Sequence, residues 1–363
     1  MNMHNKNIGK RCRWRIGLGG SLLSSLLLLS TWAAAAQPEP ADTAGASWTT
    51  AAPKAYVALH DESAIAVLDT GTNRMLGTIS VPLGPHGLVM TPDGRKVYVS
   101  SDEVSTVSVI DTATDRVVSS IEVGPMPAGL AISPDGRHVL ASVWGADQVV
   151  MIDTGTDRIV GHVPVPQPQD VAINPDGNTA YISSGRIGAA ALYIVDLASR
   201  LQIGKVSLDR HPSALALSLN GRRLYFTVEG EDAVQGLDLT RNRVTAGIPV
   251  GASPPSTLIP PDGQSQSGVS QSPNVLRILD PARDVLAASL IIGKTPHWIA
   301  TSPDGRTAYV TNERSNDVSV VNLAQRMVTL TIPVGFTPRE IAVQPAPTAP
   351  SSVSSPAPGR GIP

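Results

Sequence analysis

The 363-residue chain has one cysteine, Cys12, and it lies before the first apolar run. Once a leader of 36 residues is removed no cysteine remains, which excludes disulfides, thiolate metal centres and a CxxCH haem attachment. Aromatic residues are scarce: two Phe, five Trp and six Tyr. Such a chain offers little of the stacking surface on which single-stranded nucleic acid is bound. Lysine is also rare, with only Lys54, Lys96, Lys205 and Lys294 beyond the leader. No nucleophile elbow, Walker loop or zincin helix occurs, and nothing in the linear sequence marks a base beside a nucleophile.

The first 36 residues read as a secretory signal. Lys6, Lys10, Arg11, Arg13 and Arg15 form a basic start, Ile16 to Leu29 a short apolar run, and Ala34-Ala35-Ala36 a small-residue cleavage site. The apolar run is shorter than the roughly 20 residues needed to cross a bilayer, so no membrane span is expected after cleavage. Periplasmic or secreted localisation follows. Loss of the five basic leader residues leaves 23 basic against 30 acidic residues, a formal charge of −7, which disfavours nucleic acid as a partner. Residues 37–53 read as a flexible leader. Residues 346–363, rich in Pro, Ser and Ala, read as a disordered tail.

Between these ends the chain repeats itself. The turn Pro-Asp-Gly falls at Pro92, Pro134, Pro175, Pro261 and Pro303, with a degenerate copy at Leu219-Asn220-Gly221. Successive spacings are 42, 41, 44, 42 and 42 residues. Each unit holds four short runs rich in Val and Ile, closed by turn residues: Pro presets φ, Asp bonds the turn backbone and Gly accepts positive φ. A period of this length with four strands per unit predicts an all-β fold, a β-propeller. Innermost strands are expected to begin near His86, Ala128, Gln169, Ser213, Pro255 and His297. Three N-terminal runs (AYVALHD, AIAVLDT, NRMLGTISV) lack an innermost partner, and the C-terminal run Arg339 to Val343 lacks the other three. Joined, they make a seventh blade, so the expectation is a seven-bladed propeller over residues 54–345 in which one C-terminal innermost strand closes onto three N-terminal strands. Gln264 to Pro273, QSQSGVSQSP, stands where a second strand belongs but has no large apolar residue. A weak or partly disordered strand is expected there.

The run Ala308-Tyr309-Val310-Thr311-Asn312 with Val318-Ser319-Val320-Val321-Asn322, and the segments TPDGRKVYVS, VSVIDTATDRVV and IEVGPMPAGLAISPDGR, resemble the YVTN-repeat β-propeller family over residues 54–345. That resemblance implies a secreted or periplasmic YncE-like propeller. Similar propellers serve as binding or surface-layer modules, as lactonases, as nucleic-acid binders and as partners of cofactor proteins. The GH and WD dipeptides of WD40 blades and the tryptophan-docking repeats of eight-bladed quinoprotein dehydrogenases are absent.

The strand order puts the outer-to-inner connections and the second-to-third-strand loops on one face, around the channel mouth, where propeller loops vary. The mouth position of each unit reads His86, Ala128, Gln169, Ser213, Pro255, His297 and Arg339, with Trp298 and His211 adjacent in sequence. His86, His297 and Arg339 are expected to form one arc, with Gln169, Ser213 and Trp298 as further ligand-binding candidates. Histidine can titrate or ligate a metal and arginine can hold a carboxylate in a bidentate pair. Two histidines without a third ligand make His86 and His297 weak metal candidates, and no cofactor is evident. Mouth-side Asp61, Glu62, Asp102, Glu103, Asp147, Glu229, Glu231, Asp232, Glu313 and Asp317 suggest an acidic rim around a cationic arc.

Three roles follow from these residues. The first is a non-enzymatic binding or interaction propeller for a small anionic ligand or a protein partner. The second is a lactonase-like hydrolase or isomerase at the His/Arg arc. The third, single-stranded nucleic-acid binding, runs against the charge.

If the C-terminal strand completes the ring, a chain ending at Gly335 should lose cooperative thermal unfolding. A melt superimposable on that of the full chain would refute this pairing.

Overall fold

The computed structural model describes residues 48–345 apart from 49, 51, 187, 251–253, 255, 259–265, 271–273 and 281–284. The leader, the tail, Pro255, the Pro261 turn and most of the residues flanking the strand at Gln266 lie outside the described residues.

The fold is an all-β propeller. Six four-stranded antiparallel sheets come from consecutive stretches of chain, numbered one to six here: 85–122, 127–164, 168–207, 212–249, 256–291 and 296–333. A further four-stranded sheet, called terminal, sets the C-terminal strand Pro338–Val343 beside Lys54–Leu59, followed by Ala64–Asp69 and Arg74–Ser80. Its register runs Ala55↔Val343, Tyr56↔Ala342 and Val57↔Ile341. Sheet five is the least regular, with an innermost strand of only three residues, Ser256–Leu258. The segment expected to be weak nevertheless contains a strand, Gln266–Ser270, paired on both sides. The backbone ladder needs no large side chain. Trp144 opens a single 3-10 turn, Trp144–Ala146, after the second strand of sheet two, His138–Val143.

Burial follows strand position. Lys54–Leu59 and Ala64–Asp69 are buried at every residue, because neighbouring sheets cover both faces of the middle strands. Outer strands bury little beyond one residue near the end, such as Ile79, Ile121 and Ile332. The core is therefore a series of slabs between sheets. One joins Tyr56, Ile65 and Val67 of the terminal sheet to Leu88, Val97 and Val99 of sheet one. Another joins Val57 and Leu59 to Tyr309 and Val318 of sheet six. Apolar packing thus grips the terminal sheet from both sides.

Polar bonds cross between sheets on the hairpin side. Asp115 sits at a left-handed position, φ 52°, and its carboxylate is fully enclosed. It accepts from Lys54 Nζ at 2.5 Å and from Tyr56 OH at 2.7 Å, both in the terminal sheet. Asp157 repeats the arrangement with Lys96 Nζ at 2.7 Å and Tyr98 OH. The first Asp of each DTxTDR hairpin caps its own turn, as Asp111 does for the Thr114 amide at 2.8 Å. The second Asp staples one sheet to the one before it.

A second bond type lines the inner ring. In sheets one to four and six the innermost strand has a β-bulge between its proline and the third residue beyond it, as between Pro85 and Leu88. A bulge frees an amide from the ladder. The hydroxyl on the second strand takes it: Gly87 N donates to Ser100 Oγ at 2.9 Å and Trp298 N to Thr311 Oγ1 at 3.0 Å. The same hydroxyls donate onward to the next innermost strand, Ser100 to Ala128 O at 2.6 Å and Thr311 to Arg339 O at 2.7 Å. The threonine of the YVTN run is thus an inter-sheet stitch. Adjacent innermost strands approach so closely that a Cβ on Gly87 would strike the Ala128 carbonyl oxygen.

Replacing Asp115 by Ala would strand Lys54 and Tyr56 in a closed site. The expected loss is roughly 3–5 kcal/mol by urea unfolding, as for other broken buried pairs. Asp157→Ala should cost less, because Lys96 and Asp157 remain partly solvated. Equal losses would contradict this ordering.

Candidate functional site

The inner-strand bulge shapes the mouth. Two successive residues, His86 and Gly87 and their equivalents, stand where the ladder is interrupted. A bulge of this kind re-aims side chains. The positions singled out from the repeat are brought together: His86, Gln169, Ser213, His297 and Trp298 line one cavity of about 210 Å³, with Ala128, Asp170 and Glu340. Arg339 borders it through His297, to which its guanidinium donates at 2.9 Å. The His86 and His297 rings meet edge to face, with centroids 6.2 Å apart, and His297 stacks on Trp298 at 6.5 Å. His211 does not join them and pairs with Glu229 at 3.5 Å.

The arc is not a cationic trio. Burial and the nearby Arg339 charge hold His86 down at about 4 and His297 well below its ordinary value. Both are neutral imidazoles at pH 7. Arginine can only donate, so His297 Nε2 accepts and its proton resides on Nδ1. That Nδ1 is enclosed without a partner, as is Nδ1 of His86. His86 makes no hydrogen bond to any described residue. The one standing positive charge, Arg339, also reaches Glu313 Oε1 at 3.5 Å.

Next to the histidines His60 forms a second cluster, which the repeat did not flag. It stands in a 3-10 turn, His60–Glu62, and bridges Asp61 at 3.0 Å and Asp102 at 3.2 Å. The Asp102 bond outweighs desolvation and raises His60 to about 8. Asp61 in turn accepts from Thr337 Oγ1, and Glu62 accepts from Phe336 N at 2.7 Å, tying the loops of the terminal sheet together. The rim is therefore a set of specific bonds on one side of the mouth rather than a uniform acidic ring.

Below the histidines lie two carboxyls that the sequence reading missed, Asp170 and Glu340, each one residue beyond a mouth position. Asp170 Oδ2 accepts from Leu215 N at 2.8 Å and Glu340 Oε2 from Leu88 N at 2.5 Å, so each ties its sheet to the bulge of the next. Burial lifts Asp170 to about 7. Burial and then the Asp170 charge push Glu340 well above the carboxylate range. The signal was an acidic residue where other units carry Gly87, Gly129 or Ala214.

Residues 53–187 match the family described as Cytochrome D1 heme domain, a stretch that contains His60, His86, Asp102 and Gln169. No curated protein matches the chain. Among solved structures, the Kuenenia stuttgartiensis hydrazine synthase is similar at 23% identity over 74% of this chain and 92% of that chain, with a TM-score of 0.69. A functionally unknown protein from Desulfotomaculum acetoxidans DSM 771 is similar at 14% identity over 80% and 99% of the two chains, TM-score 0.66. The dihydro-heme d1 dehydrogenase NirN in complex with DHE is similar at 15% identity over 78% of this chain and 64% of that one, TM-score 0.60. At these identities the structural likeness speaks for the fold, a β-propeller.

The match corrects the expectation that no cofactor is evident: haem becomes a candidate. Among the described residues no group of three or more His, Cys, Asp and Glu could hold a bare metal ion. A haem needs less from the protein, because the macrocycle supplies four ligands and only axial positions remain. A neutral His86 without hydrogen bonds, beside a guanidinium able to meet a carboxylate, fits that requirement. Among the described residues no helix is long and apolar enough to cross a membrane.

The buried carboxyls set a pH dependence. Their folded-state values lie above the unfolded ones, so the folded state holds more protons. The contribution of these two carboxyls to stability should fall as pH rises from about 4 through 7, against an opposite contribution from His86 and His297, which lose their bound protons more readily folded than unfolded. Raising Asp170 from 3.8 to about 7 corresponds to on the order of 4 kcal/mol once it is ionised. Glu340→Gln keeps an acceptor for Leu88 and removes a charge. It should raise the melting temperature at pH 8 and have little effect at pH 4. A gain that did not depend on pH would contradict the raised Glu340 value.

Proposed function

We propose that the chain is a periplasmic or secreted, non-enzymatic binding propeller of YVTN type, closed into seven blades by its C-terminal strand, whose channel mouth takes an anionic tetrapyrrole of the haem class. The observation that carries this reading is His86, a desolvated neutral imidazole with no hydrogen bond among the described residues and under the influence of the Arg339 charge. The haem-domain match over residues 53–187 supports it. His86 would hold such a group through a ring nitrogen and Arg339 would pair with a carboxylate of the ligand. His297, held by Arg339, keeps the guanidinium directed along the arc, and His60 with Asp102 braces the adjoining loops. When bound, such a group would supply redox or ligand-binding chemistry at its iron. The channel cavity of about 210 Å³ lies below the roughly 300–1,000 Å³ usual for small-molecule pockets. The macrocycle therefore belongs at the mouth, not inside the channel.

A second reading, hydrolysis or isomerisation of a small anionic substrate, draws on the convergence of His297 and Arg339 to 2.9 Å. It is the weaker one, since His86, held at about 4, and His297, held well below its ordinary value, are poor general bases at neutral pH.

Titration of haem into the full chain should shift the haem absorption band and raise the melting temperature. His86→Ala should abolish the band shift while leaving the unliganded melt intact. Arg339→Gln should weaken binding roughly tenfold, the worth of one charge-assisted bond, and should not affect a haem dimethyl ester. An unchanged spectrum with both haem and haem d1 would overturn the proposal.

A further inference from the structure

We infer that the mouth-side loops of the terminal sheet and of sheets one and two form a docking surface for a protein partner whose contact face is apolar at the centre and ringed by lysine. Phe336, Leu83 and Met126 are 62%, 57% and 48% exposed. They occupy the connections that precede three successive innermost strands, so they follow one another around the mouth. Their loops are braced. Phe336 N donates to Glu62, Gly84 O accepts from Asp102 N at 2.9 Å and Met126 O from Trp144 N at 3.1 Å. Large apolar side chains held out on fixed backbone bind without a heavy ordering cost.

The repeat provides an internal comparison. The slot filled by Leu83 and Phe336 is filled by Arg210 before sheet four and by Lys294 before sheet six, both exposed. Nothing in the scaffold requires an apolar residue there. Charge divides the face in the same way. Among the described mouth-side residues of the terminal sheet and sheets one and two the only Lys or Arg is Arg339, engaged by His297 and Glu313, and the raised His60 is held by Asp61 and Asp102. Exposed Asp61, Glu62 and Glu103 flank the apolar residues instead. The remaining mouth-side cations, Arg186 and Arg314 with the two above, lie on sheets three, four and six.

An apolar centre with carboxylates around it matches a basic, apolar-centred protein face and repels phosphate, which excludes nucleic acid and anionic lipid. Leu83, Met126 and Phe336 are not among the residues that line the histidine-arginine cavity, so the surface does not require a bound tetrapyrrole.

The probe is a short amphipathic helical peptide with leucine on one face and lysine on the other, with a leucine-glutamate peptide as control. Wild-type full chain should bind the lysine peptide, more weakly as ionic strength rises, and ignore the glutamate peptide. The double variant Leu83→Ser/Phe336→Ser should lose binding about tenfold with an unchanged melt. Arg186→Ser/Lys294→Ser should bind as wild type does. Haem titration of the double variant should match wild type, which separates this surface from the mouth site. Three results would each overturn the inference: no binding at low salt, equal binding by both double variants, or self-association of the chain abolished by Leu83→Ser/Phe336→Ser. The last would name a second copy as the occupant.

Discussion

The bulge in the innermost strands is the constraint from which scaffold and mouth both follow. It removes an amide from the ladder and obliges a second-strand hydroxyl to accept it, Ser100 in sheet one and Thr311 in sheet six. Those hydroxyls donate to the next sheet and fix the distance between neighbouring innermost strands. Close approach then restricts the ring positions, which is why Gly87 and Gly129 carry no Cβ. The same local break frees His86, His297 and Arg339 from strict strand alternation. Where a unit replaces the small residue by a carboxylate, as at Asp170 and Glu340, that carboxylate reaches the next sheet's bulge amide instead.

Enclosure inverts the electrostatics expected of the mouth residues. Two histidines that would be half-charged in water near pH 6.5 are kept neutral, and two carboxyls are pushed toward their neutral form, Asp170 to about 7 and Glu340 well above its ordinary value. His60, paired with Asp102, moves in the opposite direction. The mouth thus combines a bonded His-carboxylate cluster, neutral imidazoles beside one arginine, and carboxyls shifted toward their neutral form. The arc presents one uncommitted imidazole lone pair, on His86, beside the Arg339 cation. This suits a ligand that brings both a metal and carboxylates.

On the hairpin side the chain uses different means for the same end. Asp115 and Asp157 tie a lysine and a tyrosine of the preceding sheet, so the KAYV and KVYV runs carry polar residues at strand positions that are otherwise apolar. Mouth-side stitches are neutral and short, hairpin-side staples are charged. Function-bearing variation is left to the mouth, because substitution there disturbs no staple.

Much of this was legible in the sequence. The 41–44-residue spacing, the Pro-Asp-Gly turns and the three-plus-one remainder of strands identified a propeller, because turn chemistry and strand period are local properties. The alignment of copies also placed His86, Gln169, Ser213, His297 and Arg339 at equivalent positions, and these line or border one cavity as alignment implied. Protonation, partners and asymmetry were not legible. Asp170 and Glu340 carried no signal until the bulge amides of Leu215 and Leu88 were seen to require acceptors. The histidines looked cationic until burial and Arg339 were counted. Leu83, Met126 and Phe336 became one surface only when loops up to 253 residues apart in sequence were set side by side. Sequence determines which residue occupies each slot of a repeat. Tertiary structure decides what that slot faces, because desolvation and proximity depend on neighbours that the ring, not the chain order, brings together.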